Sequence, residues 1–184
     1  MKKLSLLLIA LVGLLTGCVS DDENLQIILE RDLAAIEKYV NENPIPSAKE
    51  LVDNGTGIRI YWTSVSNSGK KPEVSDTISV NYTGKLLDNR VFDTSIESVA
   101  RANNIFSSSR KYEPLRYPIG FGFTIPGFEF AILQMEQGDK ATVIMPSLYG
   151  YGSEEVGSIP RNSPLVFELD LIEVKKIKVE DELP

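Results

Sequence analysis

Leu25, Leu29, Leu33, Ile36 and Val40 follow one another at spacings of four, four, three and four. That period places them on one stripe of a helix of about five turns. Asn43-Pro44-Ile45-Pro46 ends it, and the turn-rich run Asp53-Asn54-Gly55-Thr56-Gly57 marks a boundary. Beyond it the period changes to two. Ile58, Ile60 and Trp62 alternate with Arg59, Tyr61 and Thr63, and Ile78, Val80 and Tyr82 with Ser79, Asn81 and Thr83. Ala141, Val143 and Met145 alternate with Thr142, Ile144 and Pro146, and Leu165, Phe167, Leu169 and Leu171 with Val166, Glu168, Asp170 and Ile172. Each segment predicts a strand with one buried face. Among them Phe128 to Met135 is the one short helical stretch, closed by Gly138. Several strands and a single helix to cover their apolar face predict an α+β fold. Residues 96–110 break the rhythm: the first half suits a short helix, and the second half, with its serine-rich Ser107-Ser108-Ser109-Arg110, a solvated loop.

Composition narrows the class. With 184 residues, 42% hydrophobic and 24% charged, the chain has enough apolar side chain for one domain and an appendage. The net charge of −7 is broken by no cluster of Lys and Arg, which excludes nucleic acid as the expected partner.

The N-terminus reads as a processing segment. Lys2 and Lys3 precede the apolar run from Leu4 to Leu15, which is too short for a span of about 20 residues. Leu15-Thr16-Gly17-Cys18 then resembles the bacterial lipobox, which implies cleavage before Cys18 and lipid attachment to that cysteine. The expected organisation is a signal peptide over 1–17, a lipidated tether and amphipathic helix over 18–54, a globular domain over 55–176 and a frayed charged tail over 177–184. Valine at position 19 is unlike the aspartate that retains lipoproteins in the inner membrane, and Asp21-Asp22-Glu23 resembles a surface-export signal. The expected location is therefore the cell envelope, lipid-anchored in the outer membrane, on either its periplasmic or its surface-exposed side. A single cysteine allows no internal disulfide.

The chain has no histidine, which removes Ser-His-Asp and Cys-His catalysis and the commonest zinc and iron sites. No metal and no cofactor are expected. Gly120 to Gly127 is glycine-rich but lacks dinucleotide-binding spacing, and Glu154-Glu155 has no evident catalytic partner. Aromatic residues beside turns remain. Asp93 follows Phe92 at a strand end. Tyr151, in a Gly-Tyr-Gly context, sits in the long punctuated loop that precedes the last strand. Connectors commonly need only about 4–6 residues, so that loop suggests function.

These segments together resemble the FKBP-type peptidyl-prolyl cis-trans isomerases. The resemblance is carried by VNYTGKLLDNRVFDTS (80–95), EPLRYPIG (113–120), TIPGFEFAILQM (124–135), GDKATVIMPSLYGYG (138–152) and IPRNSPLVFELDLIEV (159–174). It implies a twisted antiparallel half-barrel wrapped around one short helix, preceded here by a helical stalk. It also implies a proline site in an apolar cup lined by Tyr82, Phe92, Asp93, Leu115, Thr124, Ile125, Phe128, Tyr151, Ile159 and Phe167. On that reading Phe92, Phe128 and Phe167 enclose the prolyl ring. The Tyr151 hydroxyl and the Ile125 N–H hold substrate carbonyls, and Tyr151 and Ile159 face the proline. Asp93 either orients Tyr82 or the bound backbone, or caps its own turn. Leu115 stands where the family usually has phenylalanine and Phe128 where it has tryptophan, so the cup stays apolar with an altered floor. The implied partners are proline-containing polypeptides, the membrane through the lipid, and the macrolide inhibitors of the family. A non-catalytic proline-peptide-binding chaperone lipoprotein is the alternative, and a protein assembled through the helix of residues 24–42 is a third reading.

Overall fold

The computed structural model describes residues 21–177. The signal peptide, Cys18 with its expected lipid, and nearly all of the charged tail lie outside them. Helix α1 (Asp21–Glu42) leads into a seven-stranded antiparallel sheet made of β1 (Lys49–Val52), β2 (Arg59–Ser64), β3 (Thr77–Leu86), β4 (Val91–Thr94), β5 (Leu115–Pro118), β6 (Lys140–Met145) and β7 (Leu165–Lys175). The order is β1-β2-β6-β7-β3-β4, and β5 pairs with the first half of β3. Helix α2 (Glu97–Ala102) follows β4. Helix α3 (Pro126–Gln134) lies on the concave face, and a 3₁₀ turn (Ser147–Tyr149) follows β6.

The main core lies between the sheet and α3. Ile60, Trp62, Ile78, Val80, Val143, Met145, Leu165 and Leu171 meet Phe128, Ala131, Ile132 and Met135 there. Pro126 opens α3 where its missing N–H costs nothing. Gly127 lets that end close up: a Cβ there would sit 2.5 Å from Met145 Sδ and 3.0 Å from the Tyr149 carbonyl. The two-residue alternation in β7 holds as far as Leu171. Ile172 stays outward and exposed, and a bulge opposite Ser79 and Val80 then shifts the register so that Val174 is buried.

Helix α1 packs against its own domain, over the outer face of the sheet. Its buried face carries Asp32, Ile36 and Tyr39, whereas Leu25, in the stripe read from spacing, is 46% exposed. The N-terminal end of the stripe is left exposed because the contact does not reach that far. The stripe holds in the C-terminal half of the helix, where Ile36 is buried, Val40 packs beside it and Leu33 lies against Gly57. There Ile36 and Tyr39 cover Tyr61, Ile144 and Val166. Gly57 permits the approach: it has φ +75°, and a Cβ would lie 2.3 Å from Leu33 Cδ2. The Asp53–Gly57 turn divides no structure either, since β1, on its N-terminal side, pairs with β2 along its length.

Candidate active site

Strand β3 supplies Tyr82 and its neighbour β4 supplies Phe92 and Asp93, held in register by Thr83 opposite Thr94 and Gly84 opposite Asp93. Strand β7 brings Phe167 opposite Gly84. Beneath them α3 presents Phe128. The three phenylalanines make an edge-to-face set, with Phe128 and Phe167 centroids 5.3 Å apart at 88° and Phe92 and Phe167 5.7 Å apart at 82°. Tyr82 adds a fourth ring, 6.1 Å from Phe128. Gly84 makes the cluster possible: a Cβ there would lie 2.5 Å from Phe92 Cε2 and Cζ and 2.9 Å from Phe167 Cε1.

These rings bound an open cavity of about 440 Å³, whose wall is completed by Asp93, Leu115, Thr124, Ile125 and Tyr151, with Gly122 and Phe123 at the rim. Side chains from positions 82 to 167 thus meet in one hollow. Ile159 does not join the lining. It is 4% exposed and packs in the main core, drawn under the loop by its bridge to Val156.

One wall is polar and tightly ordered. The Tyr82 hydroxyl donates to Asp93 Oδ2 at 2.6 Å, and Asp93 Oδ1 accepts from the Thr94 N–H at 2.8 Å. The carboxylate therefore both orients Tyr82 and caps its own turn. Arg110 joins it with a salt bridge to Asp93 Oδ1, and its other guanidinium nitrogen donates to the Tyr82 hydroxyl at 2.9 Å. Burial, reinforced by the Asp93 carboxylate, pushes the Tyr82 phenol up to about 12. Burial and the Asp93 charge raise Tyr151 as well. Both phenols stay protonated at neutral pH as hydrogen-bond donors. Ile125 is the residue preceding α3, and its N–H finds no acceptor among the described residues.

Sequence reasoning missed Arg110, reading its serine-rich run as solvent-facing. The insertion is in fact ordered by its own small cluster. Phe106 stacks on Tyr112 at 5.6 Å, Arg101 lies over Phe106 at 3.5 Å, and the Ser107 N–H donates to the Tyr112 hydroxyl at 3.0 Å. That fold-back returns Arg110 to the cup, 17 residues from Asp93 in sequence. Phe123 was missed because it resembled the other loop aromatics, yet it is 66% exposed at the rim.

A hollow ringed by aromatics, whose lining carboxylate Asp93 is already engaged by Tyr82, Thr94 and Arg110, suits a change of conformation in a bound ligand. Comparison with known proteins agrees. Residues 68–172 match the family described as FKBP-type peptidyl-prolyl cis-trans isomerase, and the chain belongs to that family. It is similar to FK506-binding protein 2 of Yarrowia lipolytica, with 36% identity over 115 residues, 62% of this chain and 71% of that protein. It is also similar to the FKBP-type peptidyl-prolyl cis-trans isomerase FkpA of Escherichia coli (strain K12). That match has 31% identity over 161 residues, 86% of this chain, but spans only 54% of the length of FkpA. Among solved structures, a peptidyl-prolyl cis-trans isomerase from Pseudomonas syringae superposes with a TM-score of 0.57 at 28% identity, covering 82% of this chain and 96% of that one. The protein is an enzyme of the peptidyl-prolyl isomerase class.

Proposed function

We propose that this cup receives a proline of an exported, incompletely folded polypeptide and accelerates rotation about the preceding amide bond. The observation that carries the reading is the closure of Phe92, Phe128 and Phe167 around one hollow beside the Tyr82–Asp93–Arg110 edge. Uncatalysed rotation faces about 18–20 kcal/mol and takes tens to hundreds of seconds, because the planar amide loses its resonance. A planar amide is strongly dipolar and a twisted one less so. A water-poor, apolar hollow therefore disfavours the planar ground state more than the twisted transition state, and only that difference accelerates the step. Each 1.36 kcal/mol of it is worth about tenfold in rate.

In this reading the phenylalanines hold the prolyl ring, and the Tyr151 hydroxyl and Ile125 N–H hold the flanking carbonyls so that only the amide turns. Asp93 and Arg110 keep the Tyr82 hydroxyl fixed in the wall. Phe121 and Phe123, both more than 60% exposed beside the cup, extend apolar contact along the substrate chain. Macrolides that fill the cups of FK506-binding relatives compete for the same hollow. Lipidation at Cys18 tethers the enzyme to the outer membrane.

Exchange NMR on a short X-Pro peptide tests the site. Catalysed cis–trans exchange is expected with the wild-type chain and is strongly reduced by Phe92→Ala and by Tyr151→Phe. Binding without faster exchange would leave a proline-binding module in place of a catalyst. Metabolic labelling with a palmitate analogue, lost on Cys18→Ala, tests the anchor.

A further inference from the structure

Asp32 of α1 is fully buried, yet the reaction has no use for its carboxylate. A buried charge is retained only where partners compensate its lost hydration. Its partners lie in the loop over the cup. Asp32 Oδ2 accepts from the Ser147 N–H at 2.8 Å and from the Ser147 hydroxyl. Asp32 Oδ1 pairs with Arg31 at 2.7 Å, and Arg31 Nη2 donates to the Asn162 carbonyl, also at 2.7 Å. Ser147 and Asn162 are the two residues that hold Gly152. The Gly152 N–H donates to the Ser147 carbonyl at 2.8 Å, and the Asn162 N–H donates to the Gly152 carbonyl at 2.7 Å.

These bonds close a ring through Asp32, Ser147, Gly152, Asn162 and Arg31. Tyr151 is peptide-bonded to Gly152 and lines the cup on the other side. The segment 153–158 beyond it is exposed throughout. Such a loop opens readily unless its ends are tied down. Both ends of this one are tied to the same turn of a helix more than 100 residues away in sequence.

We infer that Asp32 and Arg31 are positioning residues for the isomerase reaction: α1 is a strut that clamps the Tyr151 loop over the cup from behind. The inference rests on the reading of Tyr151 as a substrate-holding residue. An N-terminal helix that lies outside the cup would then set how well the cup works, because misplacing a contact group by about 1 Å can cost ~100-fold in rate.

Hydrogen exchange of individual amides in the full chain, read beside catalysed peptide exchange, tests the strut. Arg31→Gln removes the half-exposed arm and leaves Asp32 bonded to Ser147, so the fold is kept. Asp32→Asn weakens both arms. Amides of Gly152 and Asn162 are expected to exchange about tenfold faster in either variant, with amides of β7 unchanged, and kcat/KM to fall ~5- to 10-fold. Asp139→Ala, which destabilises the distant end of the sheet, controls for general loss of stability and is expected to spare the loop. Wild-type exchange at Gly152 and Asn162 in both variants overturns the clamp. Freed amides with unchanged kcat/KM overturn its part in the reaction. Tyr151→Phe separates the premise: if that change is silent, the role of Tyr151 has failed, whatever the loop amides show.

Discussion

Gly84→Ala tests the geometry of the cup with one added methyl. Gly84 has an ordinary strand conformation, so backbone strain plays no part and space alone decides. The new Cβ would stand 2.5 Å from two ring carbons of Phe92 and 2.9 Å from one of Phe167. Carbon contacts settle at about 3.5–4.0 Å, so a ring has to retreat by about 1 Å. Phe167 is 4% exposed and wedged against Phe128, whereas Phe92 is only partly buried and has solvent on one side. Phe92 is therefore the ring that swings out. Overpacking usually costs about 1–3 kcal/mol, and an outward escape puts this case near 1 kcal/mol, a fall in Tm of about 2–4 °C. The effect on turnover is larger, since the cup loses a wall and water enters. A fall of ~10- to 100-fold in kcat/KM for X-Pro exchange is expected, with the Phe92 ring resonances displaced. Wild-type kcat/KM from a folded Gly84→Ala protein would refute the argument that these rings enclose the reacting amide.

Other outcomes follow from the same contacts. Arg110→Ala leaves the Asp93–Tyr82 bond without its cationic partner. It is expected to lower kcat/KM by ~3- to 10-fold with little change in Tm, since exposed ion pairs contribute at most about 1 kcal/mol to stability. Asp139 is buried and accepts from Trp62 Nε1 at 3.1 Å, the Ser66 N–H at 2.7 Å and the Glu136 N–H at 2.9 Å. Asp139→Ala orphans these donors, and chemical denaturation followed by the fluorescence of Trp62, the only tryptophan, should register a loss of about 2–4 kcal/mol. Burial pushes both Tyr82 and Tyr117 up to about 12. Their folded values lie above the unfolded value of about 10, so the stability they contribute is whole below about pH 10 and is lost as pH rises through about 12. Tyrosinate absorbance should show at least Tyr82 and Tyr117 titrating late in the folded chain, with Tyr39 and Tyr151 also shifted upward by burial, and ordinary titration of all seven tyrosines would contradict the burial argument.

The period of apolar residues was enough to place the long strands, α3 and the α+β class, because burial of one face writes itself into neighbouring residues. Ile60, Ile78, Val143 and Phe167 each announce their side of the sheet locally. Short β4 and β5 and the edge strand β1 have no such signature, since four residues hold two inward positions and pairing decides the rest. The apolar Tyr61, Ile144 and Val166 on the outward phase mark the surface that α1 covers, but which face of α1 covers it depends on where the helix lands. The aromatic residues of the candidate cup were legible as a set through family resemblance. Arg110 was not, because its meeting with Asp93 depends on the path of an insertion. Nor was Asp32: its charge reads as solvent-facing until Ser147, 115 residues on, is brought beside it. Sequence settled which side chains seek water and which avoid it. Only the tertiary structure decided which distant ones meet, because sheet register and loop path set those distances and no local spacing records them.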